Sequence, residues 1–268
     1  MQVIGLCRFS YPALGGFQVE HDTIEDRIAF LYGADRMEER FRTFEAITLP
    51  SIRAQTDPNF TFLIVVGDAM PQAMLARLQG LVADIPQAVI QSRPPRRHRK
   101  VMQDAMNSVR TSGAQPCLQF RLDDDDAVGV SFVQDLRTVA DKVKGLLDLE
   151  RHIAIDFNQG FIISPDADGI MGQSVQRPLW TSALAVMFRP DVPLCVMNFS
   201  HAKLDKRMPT VSITGVDMML RGYNAFNDSR QGDNVAQPKL TRFGPDEERH
   251  LKEAYGIDAD HVRAVFST

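Results

Sequence analysis

The sequence predicts an α/β fold built on a mainly parallel sheet flanked by helices, with a mixed or antiparallel C-terminal extension. Three observations carry that prediction. Apolar strand-like runs alternate with helix-spaced segments through the first half of the chain. One of those runs, Cys117 to Leu122, passes directly into four aspartates, Asp123 to Asp126, at the strand end where parallel α/β sheets bind ligands. The second half instead offers short strand-like runs separated by turn sequences.

Taken in order, Gln2 to Phe9 reads as a buried first strand, and Ser10 to Gly16, with Pro12, Gly15 and Gly16, as the loop at its carboxyl end. Thr23 or Asp35 caps a helical region in which Phe41, Phe44, Thr48 and Ile52 recur at helical spacing. Pro50 is placed to kink that helix, and Asp57-Pro58-Asn59 stops it. Phe60 to Val66 is the second strand, Gly67-Asp68 a turn, and Pro71 to Val82 a helix opened by proline. A short third strand, Ala88 to Gln91, leads into a basic loop from Arg93 to Lys100, a helix to about Val109, and the fourth strand. Helical spacing returns over Ser131 to Leu147 in Phe132, Leu136, Val139 and Val143. Strand-like runs then cover His152 to Asp156, Gly160 to Ser164, Ser182 to Phe188 and Leu194 to Phe199, with turns at Asn158 to Gly160 and Pro165 to Gly169. Val216 to Leu220 and Asp246 to Tyr255 read as helices, the second opened by Pro245 and stopped by Gly256.

At 268 residues the expectation is one large domain covering residues 1–268, long enough to cover both faces of a full sheet. An apolar fraction of 44% with 24% charged residues excludes a disordered chain. The longest apolar runs, such as Phe62 to Gly67 and Ala183 to Phe188, fall far short of the roughly 20 residues of a membrane span. No transmembrane segment is expected, which leaves room for peripheral membrane contact. The start, Val3-Ile4-Gly5-Leu6-Cys7, lacks the pattern of a signal peptide, so a cytoplasmic location is expected. Cys7, Cys117 and Cys195 are odd in number and each sits in an apolar stretch, which predicts buried reduced thiols. The net charge of −4 gives no reason to expect a nucleic acid partner, so any anion site must be local.

Two stretches carry chemistry. Neighbouring carboxylates at ~4 Å repel by about 1 kcal/mol per pair even in water, so the run Asp123 to Asp126 calls for positive charge. A hard cation, Mn2+ or Mg2+, takes oxygen ligands, and alternate residues of an extended segment share a side, so Asp123 and Asp125 face one site. The bland alternative is a solvated acidic turn or a set of helix caps. The second stretch, Arg93 to Lys100, holds five Lys or Arg and one His, a complement suited to a diphosphate, with Arg97, His98 and Lys100 the foremost contributors. The alternative there is a solvated charged face.

The stretch Thr43 to Thr56, with Ser51-Ile52-Arg53-Ala54-Gln55 inside it, followed by Asn59-Phe60 and the strand Phe62 to Val66, resembles the opening of GT-A glycosyltransferases. Leu122-Asp123-Asp124-Asp125-Asp126 resembles their Asp-x-Asp motif. The combination of Cys7-Arg8-Phe9-Ser10, Arg121 to Asp126 and Asn227-Asp228-Ser229 is similar to the bacterial rhamnosyltransferase family. The resemblance is strongest from Arg42 to Val128. It implies a GT-A-like fold with a nucleotide-binding half, 1–130, and an acceptor-binding half, 131–268. The activity implied is a hexosyltransferase that moves a sugar, rhamnose among the candidates, from a nucleoside-diphosphate sugar to a saccharide or other hydroxyl acceptor.

By the same resemblance Asp123 lies near the ribose or base, Asp125 ligands a metal bridging the phosphates, and Asp124 or Asp126 is a second ligand. Arg8, Phe9 and Ser10 border the base, with core packing the alternative for Phe9. Asp68 stands alone where many relatives carry an acidic pair. Asp217, at the start of an expected helix, is the candidate base for an inverting reaction, with a helix N-cap as the alternative. His201 is a third metal ligand, a phosphate contact or a structural histidine. Trp180, the only tryptophan, stacks on an acceptor sugar or packs in the core. Two other readings stand beside this one. A nucleotidyltransferase usually carries a glycine-rich loop where this chain has Arg8-Phe9-Ser10-Tyr11-Pro12; a non-catalytic carbohydrate-binding relative would keep the fold alone.

Overall fold

The computed structural model describes residues 1–15, 21–224 and 237–267. The Asn227-Asp228-Ser229 motif lies outside them. Strand β1 (Gln2–Arg8) is followed by α1 (Ile24–Leu31), α2 (Ala34–Thr43), a π-helical turn (Phe44–Thr48) and α3 (Leu49–Arg53). Then come β2 (Thr61–Gly67), α4 (Gln72–Leu81), β3 (Ala88–Arg93), α5 (His98–Val109), β4 (Cys117–Arg121), β5 (Ala127–Val128) and α6 (Phe132–Val143). Thr23 caps α1 as expected, its side chain accepting from the Asp26 N–H. The wide turn falls just before Pro50, whose ring cannot sit against the carbonyl four residues back, so the helix bulges there.

The second half contributes β6 (His152–Phe157), β7 (Gln159–Asp166), β8 (Gly169–Gln176), β9 (Leu184–Phe188), β10 (Thr210–Ile213), β11 (Met219–Gly222), β12 (Thr241–Arg242), α7 (Pro245–Tyr255) and α8 (Ala259–Phe266). One sheet has the order β10-β6-β9-β4-β1-β2-β3 and is parallel except for β9; the other, β12-β8-β7-β11-β5, is mixed. This is the GT-A-like architecture expected: a mainly parallel sheet flanked by helices, with a mixed extension.

Period-two alternation decides what each face of the large sheet buries. Val3 and Cys7 of β1, with Leu118 and Phe120 of β4, pack with α2 and α6 residues such as Met37, Phe41, Phe132 and Leu136. Ile4 and Leu6, with Cys117, pack instead against Val101, Met102, Ala105 and Met106 of α5 and the 3-10 turns Val196–Asn198 and His201–Lys206. All three cysteines are free and buried.

Three sequence expectations are corrected. Leu194 to Phe199, expected as a strand, instead contains the 3-10 turn Val196–Asn198, its Val196 N–H held by the Gln119 side chain. Val216 to Leu220 is not helical; Met219–Gly222 is a strand, because pairing to β5 and β7 overrides the ambiguous periodicity of a short apolar run. Arg93 to Lys100 is not one free loop either. Arg93 closes β3, His98 to Lys100 open α5, and the link between them is pinned to Leu14 by backbone hydrogen bonds of 2.9 and 3.2 Å. α7 matches its expectation, down to the left-handed Gly256 (φ 73°) that ends it.

Candidate functional site at the carboxyl edge

β1 and β4 run side by side and end together, so Arg8 and Arg121 emerge next to the aspartate run. Parity along β4 separates the groups. Arg121 continues the Cys117 and Gln119 series onto the α5 face, while Leu122 returns to the core beside α2. Asp123 stays with Arg121, which grips it through Nε at 3.0 Å and through a second guanidinium nitrogen. Burial opposes ionisation of Asp123, yet Arg121, Arg8 and Arg221 outweigh it and hold the carboxyl well below its usual range.

The next three aspartates are buried, at 4, 5 and 3% exposure. Arg40 of α2, itself buried, lies 2.9 Å from Asp124 Oδ1 and 3.3 Å from Asp125 Oδ2. Asp125 Oδ2 also accepts from the Asn224 side chain at 2.9 Å, and Asp126 Oδ1 accepts from the Gly222 backbone N–H at 3.0 Å. Gly222 permits that approach: a Cβ there would stand 2.3 Å from the Asp125 carbonyl oxygen. Burial, opposed by Arg40 and reinforced by Asp125, pushes the Asp124 carboxyl up to about 6. Burial also raises Asp125 and, with Asp125 beside it, raises Asp126 well above the usual range. Burial is the first cause of all three upward shifts, and Arg40 and Arg221 oppose it.

An all-oxygen donor set suits a hard divalent cation in kind. Asp125 and Asp126 would hold one, with the remaining oxygens supplied by ligand and water. Among the described residues no group of three acidic, His or Cys side chains converges on one metal position.

The remaining expected site residues divide sharply. Arg8 and His98 meet, with Arg8 Nη1 3.2 Å from His98 Nε2. Burial, then Arg8 and Arg121, push the His98 imidazole down to about 3, so it is neutral at physiological pH. His201 also faces this side, its Nδ1 2.7 Å from the Leu179 carbonyl oxygen, with burial and Arg121 lowering its pKa. Together His98, Arg99, Arg121 and His201 line a cavity of about 240 Å³.

Ser10 is buried in a left-handed conformation (φ 47°), and its hydroxyl accepts from Arg36 at 2.9 Å. Phe9 is fully buried against Phe41 and Phe44, with ring centroids 5.3 and 5.1 Å apart. Asp68 and Arg97 are exposed. Lys100 is exposed too and bonds Asp104 at 2.6 Å, within its own helix. Trp180 is half-buried, with the guanidinium groups of Arg177 and Arg221 at 4.8 and 5.1 Å from its ring.

Asp217 is not brought to this edge. It precedes β11, at the opposite end from Gly222, and its carboxylate accepts from Gln159 at 2.9 Å and lies 2.9 Å from His250 Nε2. Sequence reasoning did not single out Arg36, Arg40, Arg221 or Asn224, and it quoted Arg121 within the aspartate motif without a role. Arg36 and Arg40 stand four apart on the helix face that carries Met37 and Phe41, a pattern that a solvated charged face shows equally.

The fold and this edge define a GT-A-like α/β protein with an acidic and arginine-lined carboxyl end. A family model described as "Putative rhamnosyl transferase" matches residues 2–235, and the chain belongs to that family. No curated protein sequence matches it. Among solved structures, S. aureus TarS 1-349 in complex with UDP-GlcNAc aligns at a TM-score of 0.49 and 9% identity, over 85% of this chain and 60% of TarS. A putative nucleotide-diphospho-sugar transferase from Desulfovibrio desulfuricans aligns at 0.34 and 11%, over 82% and 80%. A UDP-glucose pyrophosphorylase complexed with UDP-glucose aligns at 0.32 and 13%, over 72% and 78%. The chain thus spans about three fifths of the TarS fragment it matches.

Proposed function

We propose that this protein transfers a sugar from a nucleoside-diphosphate sugar to a hydroxyl acceptor within a single domain, 1–268, rhamnose being the donor sugar that the family description suggests. The observation that carries the reading is the aspartate run at the end of β4, placed beside the end of β1 with arginines on both sides. The nucleotide-binding half, 1–130, supplies Arg8, Asp123 and Asp124; the acceptor-binding half, 131–268, supplies His201 and Trp180. A divalent ion at Asp125 and Asp126 would neutralise diphosphate charge, while Arg8 would orient phosphate oxygens. Asp217, engaged by Gln159 and His250, is left a structural part. Against a nucleotidyltransferase, the β1 loop is not glycine-rich and is tied down by the Tyr11 hydroxyl, which donates to the Pro94 carbonyl at 2.6 Å.

The test is calorimetry of UDP, GDP and dTDP with and without Mn2+, followed by release of sugar from the matching nucleotide sugars. One nucleotide should bind, more tightly with Mn2+, and Asp125→Asn should remove that gain. If no nucleotide binds and none of the sugars is released, the reading fails.

A further inference from the structure

The cavity between α5 and the 3-10 turns opens over the core on the α5 face of the sheet and touches the acidic run only through Arg121, the partner of Asp123. Its polar lining combines opposite demands. Arg99 presents donors and positive charge, while Arg121, held by Asp123, and Arg8, behind His98, add to the positive field. His201 presents the reverse. A backbone carbonyl only accepts, so the 2.7 Å contact to Leu179 O requires the hydrogen on Nδ1 and makes Nε2 of the neutral ring an acceptor. That tautomer is held firmly. Leu179 is fixed in a left-handed conformation (φ 59°) and donates its N–H to Asp156, a fully buried carboxylate, at 3.0 Å. A ligand satisfying this lining must bring anionic oxygens for Arg99 and a hydroxyl that donates to His201. Met197 and Phe199 add an apolar wall suited to the C–H face of a sugar ring.

Resting on the transferase reading, we infer that this cavity is the acceptor subsite and takes a hydroxyl compound that also carries a phosphate or carboxylate, such as a sugar phosphate or sugar acid. One structural feature separates it from a diphosphate site. Parity puts the cavity on the sheet face opposite Arg40 and the aspartates it binds.

The experiment is calorimetry on the full chain with glucose 6-phosphate, glucuronate, glucose and inorganic phosphate, alone and after saturation with UDP, GDP or dTDP plus Mn2+. Glucose 6-phosphate or glucuronate should bind at least tenfold more tightly than glucose, and the sugar ring should improve on inorganic phosphate alone. Arg99→Gln and His201→Gln should each weaken the acidic sugar at least fivefold while leaving nucleotide affinity unchanged. Arg99 is at the surface, so its variant keeps the fold testable. Saturating nucleotide should not displace the acidic sugar. Mutual exclusion would overturn the proposal by making the cavity a diphosphate subsite, and so would equal affinity for glucose. Acidic-sugar binding with no nucleotide binding would overturn the transferase reading alone.

Discussion

The two flanks of the β4 terminus handle charge in opposite ways. On the α2 side the charges are sealed: Asp124 and Asp125 share Arg40, and all three groups are nearly inaccessible to water. On the α5 side Arg99, Arg121 and two neutral histidines border an open cavity. The pair Arg121 and Asp123 is the seam between them. Sealed charge has to be compensated by the chain itself, at a cost in stability, whereas charge on a cavity wall is compensated by water or ligand. The sealed flank should therefore weigh more heavily on folding than the open one.

The largest expected effect breaks the sealed flank. Arg40→Ala leaves two buried carboxylates without their main cation and should cost about 3–5 kcal/mol at neutral pH, read from urea unfolding. A loss below about 1 kcal/mol would mean that water reaches these aspartates. Next is pH. The folded-state pKa of Asp124, about 6, lies above the ordinary aspartate value of about 3.9, so the folded protein holds this proton longer than the unfolded chain. Its favourable contribution is full below about pH 4 and is lost as pH rises through 6. Asp124→Asn should thus gain on the wild type by an amount on the order of 2 kcal/mol between pH 4 and pH 7. Parallel stability curves for the two proteins would remove the effect.

A smaller change tests the position far from both flanks. Asp217→Asn should lower stability by about 1 kcal/mol through its bonds to Gln159 and His250, with nucleotide affinity unchanged. A hundredfold loss of turnover at normal stability would instead return it to the chemistry. The smallest effect belongs to Lys100→Ala: its exposed pair with Asp104 should leave stability within about 0.5 kcal/mol and nucleotide affinity as it was.

The legibility of this molecule follows the same division between local and distant causes. β1, β2 and β4 are continuous apolar runs buried on both faces, and α7 has its proline and glycine punctuation in place, so each was readable locally. β8, Gly169–Gln176, was missed because its hydrogen bonds come from β7 and its composition is polar and glycine-rich. α8 escaped as well, being two turns long after a short connection. The aspartate run was legible because crowded carboxylates demand a partner wherever they occur. The partner was not, since Arg40 belongs to a helix whose charged residues read as a solvated face until the tertiary structure buries them. His201 was picked out, but its tautomer depends on a carbonyl set by Leu179, which nothing in the sequence connects to it.

The bond from Gly222 to Asp126 spans 96 positions of the chain. During synthesis the parallel strands and their helices leave the ribosome well before β11 exists, so the acidic turn has to wait, part-finished, for its last backbone partner. A chain stalled before residue 222 would leave the acidic turn open and would also lack the Leu251, Tyr255 and Val262 side chains that cover Ala46 and Ile163.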